Sequence, residues 1–314
     1  MAILHMTAIM GTTGIGRVAR MPRSASGLIA ILVACSLGGI ADEAPISPSP
    51  ARPSWASAIG MGCDHAGTWA DFAIAGVVQR MRWIPPGHFI MGSPPQEQER
   101  AISGGALPEW VSGETLHTVT LTHGFWLGDS VVTQGFWVAA MGTNPSAHIS
   151  ADAELPVDSV SWTQCALFNA TLNTRVPGAQ ARFPSEAEWE YACRAGIDEP
   201  YGGLTLEQVG WFRANAHGVT HPVKQKLANP WGLYDMHGNV FEWCGDVYAA
   251  YRLSDVSDPV GPPAGASRVR RGGAYQCLAY DCRSAMRFHG AIEDSQDVSG
   301  YRLCLSTQEH GTAP

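Results

Sequence analysis

"NPWGLYDMHGNVFEW", residues 229–243, places two carboxylates, Asp235 and Glu242, seven positions apart around a central His237-Gly238-Asn239. On a straight helix seven residues advance about 10 Å along the axis, too far for both side chains to meet one small ligand. A sharp turn at His237–Asn239 would bring the two acids together and swing backbone carbonyls toward the same point. Otherwise they simply accept hydrogen bonds from nearby backbone N–H groups. Trp231 and Trp243 flank the turn and read as core anchors, because large buried rings can hold a loop that lacks regular structure.

Composition agrees with a loop-rich fold. The 314 residues include 35 Gly and 21 Pro, about 18% against a usual ~12%, and only 15% are charged. The net charge of −8 and the scatter of basic residues, apart from Arg268, Arg270 and Arg271, argue against a nucleic-acid surface. Those three arginines read as strand residues paired with acids. No P-loop, dinucleotide glycine motif or nucleophile elbow is present, and the histidines show no zinc-ligand spacing.

At the N-terminus, Arg17, Arg20 and Arg23 precede the apolar run 27–34, which is too short to span a bilayer and fits the core of an export signal. Residues 1–35 are therefore expected to be a signal peptide. "LVAC" (32–35) resembles a lipoprotein box that would place a lipid anchor on Cys35; the alternative is an ordinary signal cut near Ala34 or Ala41. Either way the mature protein is expected to be exported, where disulfides are allowed. Residues 36–80 read as a tether and N-terminal segment, 81–306 as the folded domain and 307–314 as a tail. Besides Cys35 the chain holds Cys63, Cys165, Cys193, Cys244, Cys277, Cys282 and Cys304, so at least one is left without an intrachain partner.

Two helices are legible. One starts at Ser161 in "SWTQCALFNATLN". The other lies in "PSEAEWEYACRAG", where Ser185 and Glu188 form a capping box and Gly196 ends it. "HTVTLTHGFWL", "RVRRGGAY" and "GYRLCLS" read as strands, and 195–230 as a long irregular stretch. "RGGAYQCLAYDC" (271–282) sets Cys277 and Cys282 five apart. Their side chains diverge on a strand or a helix, so they meet only if 278–281 forms a turn.

Together, "IPPGHFIMGS" (84–93), "VTQGFW" (132–137), "PVDSVSW" (156–162), "RFPSEAEWEYACRAG" (182–196), "NPWGLYDMHGNVFEW" and "RVRRGGAY" (268–275) resemble, in order, the formylglycine-generating enzyme or sulfatase-modifying-factor family. The resemblance implies an α+β, C-type-lectin-like fold, loop-rich, with little regular secondary structure and bound calcium. It implies calcium on Asp235 and Glu242 and on the carbonyls of Gly238 and Val240. A second calcium would use Asn215 and the Ala216 carbonyl, although the family's downstream Asp has no counterpart here.

For the cysteines the resemblance implies a catalytic pair. Cys277 and Cys282 match the family's Gly-Gly-Ser-Tyr-x-Cys-x4-Cys motif, whose thiolates hold Cu(I), a soft ion that prefers sulfur. The chemistry implied is copper- and O2-dependent oxidation of a cysteine, in an extended sulfatase-type peptide, to formylglycine. Three departures stand against it. Ala274 replaces the family serine, Phe241 replaces a tryptophan, and the stretch after Cys282 is shorter and reads "CRSAMR", as in relatives without the pair. In some of those relatives the cysteine at 282 accompanies one at 193 or 244, so Cys282 could bridge to Cys193 or Cys244. A Cys193–Cys304 bridge is likewise implied by some relatives. The alternative function is a non-catalytic, calcium-stabilised binding module for a peptide or protein ligand. "RGGAY", "CRSAMR" and "GYRLC" also resemble the frame of retroelement-diversified lectin-like proteins, with Gln276, Leu278, Tyr280, Asp281, Phe288 and His289 as the fillers.

Overall fold

The computed structural model describes residues 50, 52–55, 60–252 and 254–307; the signal region, Cys35 and the residues beyond 307 lie outside the described residues. The strands are β1 (Met61–Asp64), β2 (Gly67–Ile74), β3 (Val77–Ile84), β4 (Gly87–Met91), β5 (His117–Leu121), β6 (Phe125–Gly128) and β7 (Ala181–Arg182), then β8 (Phe241–Val247), β9 (Val256–Ser257), β10 (Ser267–Arg271), β11 (Phe288–Ala291), β12 (Ser299–Gly300) and β13 (Cys304–Leu305). They form a six-stranded sheet in the order β1-β2-β3-β6-β13-β7, a four-stranded sheet β11-β10-β8-β12 and a three-stranded sheet β4-β5-β9. Between them lie helices α1 (Pro95–Ser103), α2 (Pro108–Val111), α3 (Gln134–Met141), α4 (Trp162–Arg175), α5 (Glu186–Arg194) and α6 (Leu206–Val209). Among the described residues no helix is long and apolar enough to cross a membrane.

The two helices read from the sequence form with their caps. Ser161 and Gln164 make a capping box on α4, and Ser185 and Glu188 make one on α5. The chain leaves α5 through Ala195 and Gly196, both left-handed at φ 47° and 82°. Helices α3 and α4 pack on the large sheet, where Trp137 stacks on Phe168 with centroids 4.7 Å apart beside Phe72, Trp126 and Tyr301. A second apolar cluster gathers Trp189 and Ala192 of α5 with Phe125, Leu127, Met236 and Val269.

The expected start of the domain at 81 falls inside β3. The preceding strands β1 and β2 belong to the large sheet, and Ala70, Phe72 and Ile74 point into its core. The tether also docks. Trp55 is buried edge-on against Phe72 and Trp126, at 5.6 and 5.5 Å between centroids. A single Trp buries enough apolar area to fix a segment that reads as a linker from its Pro and Ser content. "GYRLCLS" divides into two short strands, β12 and β13, in different sheets.

Buried ion pairs join the sheets. Arg302 is fully buried and grips Glu242 of β8 at 2.6 and 2.8 Å, while also donating to the carbonyls of Gly128 and Tyr234. Trp189 of α5 donates to the same carboxylate at 2.6 Å. Removing one partner of a buried pair strands the other charge, at a cost of about 3–5 kcal/mol. Arg302→Met is therefore expected to lower unfolding free energy in urea by about that amount, and Arg302→Met with Glu242→Gln by less. Equal losses in the single and double variants would reject this account.

Candidate functional site

Gly238 sits at φ 103°, and a Cβ there would lie 2.1 Å from the Trp211 carbonyl oxygen, so this turn requires glycine. Asp235 and Asn239 flank it in left-handed conformations, at φ 56° and 64°. The turn brings Asp235 and Glu242 within electrostatic reach, and burial, with Glu242 adding to it, pushes the Asp235 carboxyl up to about 6. The two acids are placed differently, however. Glu242 is saturated by Arg302 and Trp189. Asp235 accepts from the Lys224 N–H at 2.9 Å through Oδ2, while its buried Oδ1 has no partner among the described residues. A cation therefore fits at the Asp235 end of the turn, where an orphaned acceptor waits in a low-dielectric setting.

Asn215 and Ala216 do not fit a second cation. The Asn215 side-chain oxygen accepts from the Phe212 N–H at 2.8 Å and its amide donates to the Gly210 carbonyl. His221 lies 2.9 Å from the Ala216 carbonyl through Nε2, so that oxygen also has a protein partner. The expected pair is thus part of a local turn that holds itself together.

Cys277 and Cys282 border the same apolar cluster. Residues Ala279–Cys282 form a 3-10 turn, closed by the Asp281 carboxylate accepting from the Leu278 N–H at 3.0 Å. Both cysteines then pack in one cluster with Leu206, Val209 and Phe212. Gly273 makes this possible. It is left-handed at φ 75°, and a Cβ there would come within 2.6 Å of Cys282 Sγ. Cys277 is half-buried and Cys282 fully buried. Burial pushes the Cys277 thiol up to about 12, with Asp281 adding to the shift, and raises Cys282 well above the ordinary range. Both thiols are therefore protonated in the metal-free protein.

All seven described cysteines are free, which corrects the expected bridges. Cys282 joins neither Cys193 nor Cys244. Cys193 instead packs beside His237 Nε2 at 3.7 Å and Ser284 Oγ at 3.5 Å. Cys304 is enclosed within the large sheet, where β13 runs between β6 and β7.

Along 271–290, frame and fillers separate by burial. Gly272, Gly273, Ala274, Tyr275 and the whole of "CRSAMR" are buried. Gln276, Leu278 and His289 are exposed, and Tyr280, Asp281 and Phe288 are partly so. The frame arginines are structural struts: Arg283 holds Glu97 and Glu114, and Arg287 holds Glu186 through two bonds. Arg271 pairs with Glu190, and Arg270 with Asp294; Arg268 departs from the expected acid pairing and lies over Trp162 while donating to the Gly245 carbonyl. Sequence reading missed Glu97, Glu114, Glu190 and Arg302; their only signal was the scarcity of charge in the chain. Beside the cysteine loop runs a groove of about 670 Å3, lined by Arg100, Tyr201, Phe212, Arg213, Leu278 and Tyr280 among others. Arg213 is tied to the loop, its backbone N–H donating to the Cys277 carbonyl and its Nε to that of Gln276.

A loop-rich α+β fold with short strands, a glycine turn between two acids and a surface loop on an arginine-strutted frame defines a C-type-lectin-like domain. The sequence matches the family described as the sulfatase-modifying factor enzyme 1-like domain over residues 72–307, and the chain belongs to that formylglycine-generating-enzyme family. It is 29% identical over 200 residues to the formylglycine-generating enzyme of Bos taurus, covering 55% of this chain and 51% of that one. To the formylglycine-generating enzyme of Streptomyces coelicolor it is 38% identical over 168 residues, covering 47% and 51%. The chain thus spans about half the length of these relatives. Among solved structures, Treponema denticola variable protein 1 superposes with a TM-score of 0.67 at 26% identity, over 76% of this chain and 99% of that one.

The burial order predicts thiol reactivity. In the native protein a thiol reagent is expected to label Cys63 fastest and Cys277 more slowly, with the five buried cysteines reacting only on unfolding. Mass mapping that finds Cys282 labelled before Cys277 in the native state would overturn the placement.

Proposed function

We propose that Cys277 and Cys282 form a two-thiol site for Cu(I) and that the domain oxidises a cysteine in an extended peptide to formylglycine. The observation carrying this reading is that the 3-10 turn brings the two thiols into one cluster while neither is committed to another cysteine. Two adjacent sulfurs in an apolar setting suit a soft monovalent ion, which would displace both protons on binding. When bound, copper would supply the activation of O2. The chain's own part is positional. Cys282 and its apolar neighbours close the inner side from water, Cys277 faces outward, and the groove beside the loop can lay a peptide along the site. Taking the cysteine carbon to an aldehyde removes two electrons and releases sulfide. Reducing O2 to water takes four, so an added thiol must supply the other two and leaves as disulfide.

A second reading is favoured by the burial pattern. The fillers of 276–289 are exposed while the frame is buried, as suits an adaptable binding face that carries no chemistry. Ala274 adds to it, because the position of the family serine is fully buried among apolar groups. One experiment separates the two. The reduced, purified protein should bind one Cu(I) and, with O2 and a thiol, convert a cysteine-containing sulfatase peptide to an aldehyde. Cys277→Ala and Cys282→Ala should each abolish both. Absence of Cu(I) binding and of aldehyde would reject the oxidase and leave the binding module.

We also propose calcium at Asp235, with the Gly238 and Val240 carbonyls as co-ligands; the orphaned Oδ1 of Asp235 supports it. Calcium at about 100 times its Kd adds about 2.7 kcal/mol. For a domain of this size, chelation should then lower the melting temperature by about 5–10 °C. Asp235→Asn keeps the acceptor for the Lys224 N–H and should remove that response. An identical melting curve in chelator and in calcium would reject the site.

A further inference from the structure

Away from the cysteine loop, two cavities of about 610 and 450 Å3 meet beneath the segment 254–262. They share four lining residues: Asp246, Asp258, Pro259 and Val260. The overlying segment is pinned rather than loose. Its strand β9 pairs with β5, the Asp258 N–H donates to the Thr120 carbonyl at 2.9 Å, and the Asp258 carboxylate accepts from the Thr122 N–H at 2.8 Å.

Of the two acids common to both cavities, Asp258 is exposed and Asp246 is buried, only 6% exposed. Its Oδ2 accepts from the Glu186 N–H at 2.7 Å, and among the described residues no side chain or backbone group of another residue bonds its Oδ1. The neighbouring acids are already neutralised, Glu186 by Arg287 and Glu188 by Arg182. Asp258 is engaged by Thr122, with His123 at 4.0 Å. Among the described residues no cation is paired with Asp246, and Asp255 is exposed in the wall of the larger cavity. Arg252, in the wall of the larger cavity, is likewise exposed. His117 faces Tyr251, its Nδ1 set on the Thr115 carbonyl. The remaining wall residues include the apolar Val247, Ala249, Pro259 and Val260 beside Ser185, Ser254 and Ser257.

We propose that these joined cavities are a second ligand site, which takes an aliphatic amine with its ammonium on Asp246 and its methylene chain along the Pro and Val wall. The chemistry is that of a buried carboxylate without a counter-charge, set in walls that suit alkyl groups. Burial, with Glu186 and Glu188 adding to it, pushes the Asp246 carboxyl up to about 7. An ammonium beside it favours the anion, so binding releases a proton. The affinity is complete above that pH and falls as pH drops through it.

Calorimetry of the full chain with cadaverine in chelator, at pH 8 and pH 5.5, tests this. One saturable site is expected at pH 8, weakened roughly tenfold or more at pH 5.5, where proton release shows as a dependence of the heat on buffer ionisation. Asp246→Asn keeps an acceptor for the Glu186 N–H and should abolish binding. Val260→Trp, at a position 71% exposed, should fold regardless and narrow both cavities, weakening binding. Running Nα-acetyl-lysine methylamide in parallel separates the sources: comparable binding identifies a lysine side chain, and binding of cadaverine alone identifies a free amine. No saturable heat, equal affinity at both pH values, or unchanged binding in either variant would overturn the proposal.

Discussion

The pairing of Arg302 with Glu242 is the constraint on which the arrangement depends. One guanidinium closes on a carboxylate of β8, on the carbonyl that ends β6 and on the carbonyl preceding Asp235, while Trp189 of α5 completes the same carboxylate. Four segments distant in sequence meet at one fully buried point. A desolvated pair of this kind adds little net stability over an apolar substitute. What it supplies here is registry: few other arrangements satisfy both charges, so the glycine turn, the helix and the two sheets are held in one relative position.

The same device recurs under the surface loop. Arg271, Arg283 and Arg287 are sunk against Glu190, Glu97, Glu114 and Glu186, in a chain of which only 15% is charged. These struts bear on the frame, while among the fillers Asp281 closes the 3-10 turn and Phe288 packs on Phe241. Leu278, at 38% exposure, and His289 can change without disturbing an ion pair. A scaffold built this way separates the residues that specify the fold from those that meet a ligand, which is why one fold can serve an oxidase and a binder alike.

Much of this was legible. The Ser185–Glu188 capping box, the helix start at Ser161, the strand in "HTVTL" and the turn required between Cys277 and Cys282 follow from local chemistry acting over a few residues. What escaped is long-range. Trp55 looks like part of a Pro- and Ser-rich linker, because nothing local shows that Phe72 and Trp126 leave a slot for it. Strand β2 is defined by its pairing to β3, and β1 by its pairing to β2. Glu97 and Glu114 read as ordinary surface acids, since their partner Arg283 lies more than 160 positions away. At the candidate site, spacing set only the condition that 278–281 turn, and a 3-10 turn forms at Ala279–Cys282. Spacing could not show that Glu242 is already neutralised from the far end of the chain, or that Asn215 spends its amide on its own turn.

The two cysteines stand on opposite sides of the division between frame and filler. Cys282 begins "CRSAMR" and is sealed beneath Gly273, so its position is set by the same struts that hold the fold. Cys277 lies among the fillers, half-exposed, with its carbonyl tied to Arg213. An oxidase needs this asymmetry: one sulfur fixed by the scaffold, the other reachable by a substrate. A binding module needs only the exposed half, and for it a cysteine at 282 is a small apolar filler beside Phe212 and Val209. The inner thiol is therefore the more informative of the two. Under the proposed oxidase, this buried free sulfur would supply a soft-metal ligand, which an alanine, smaller and without sulfur, could not.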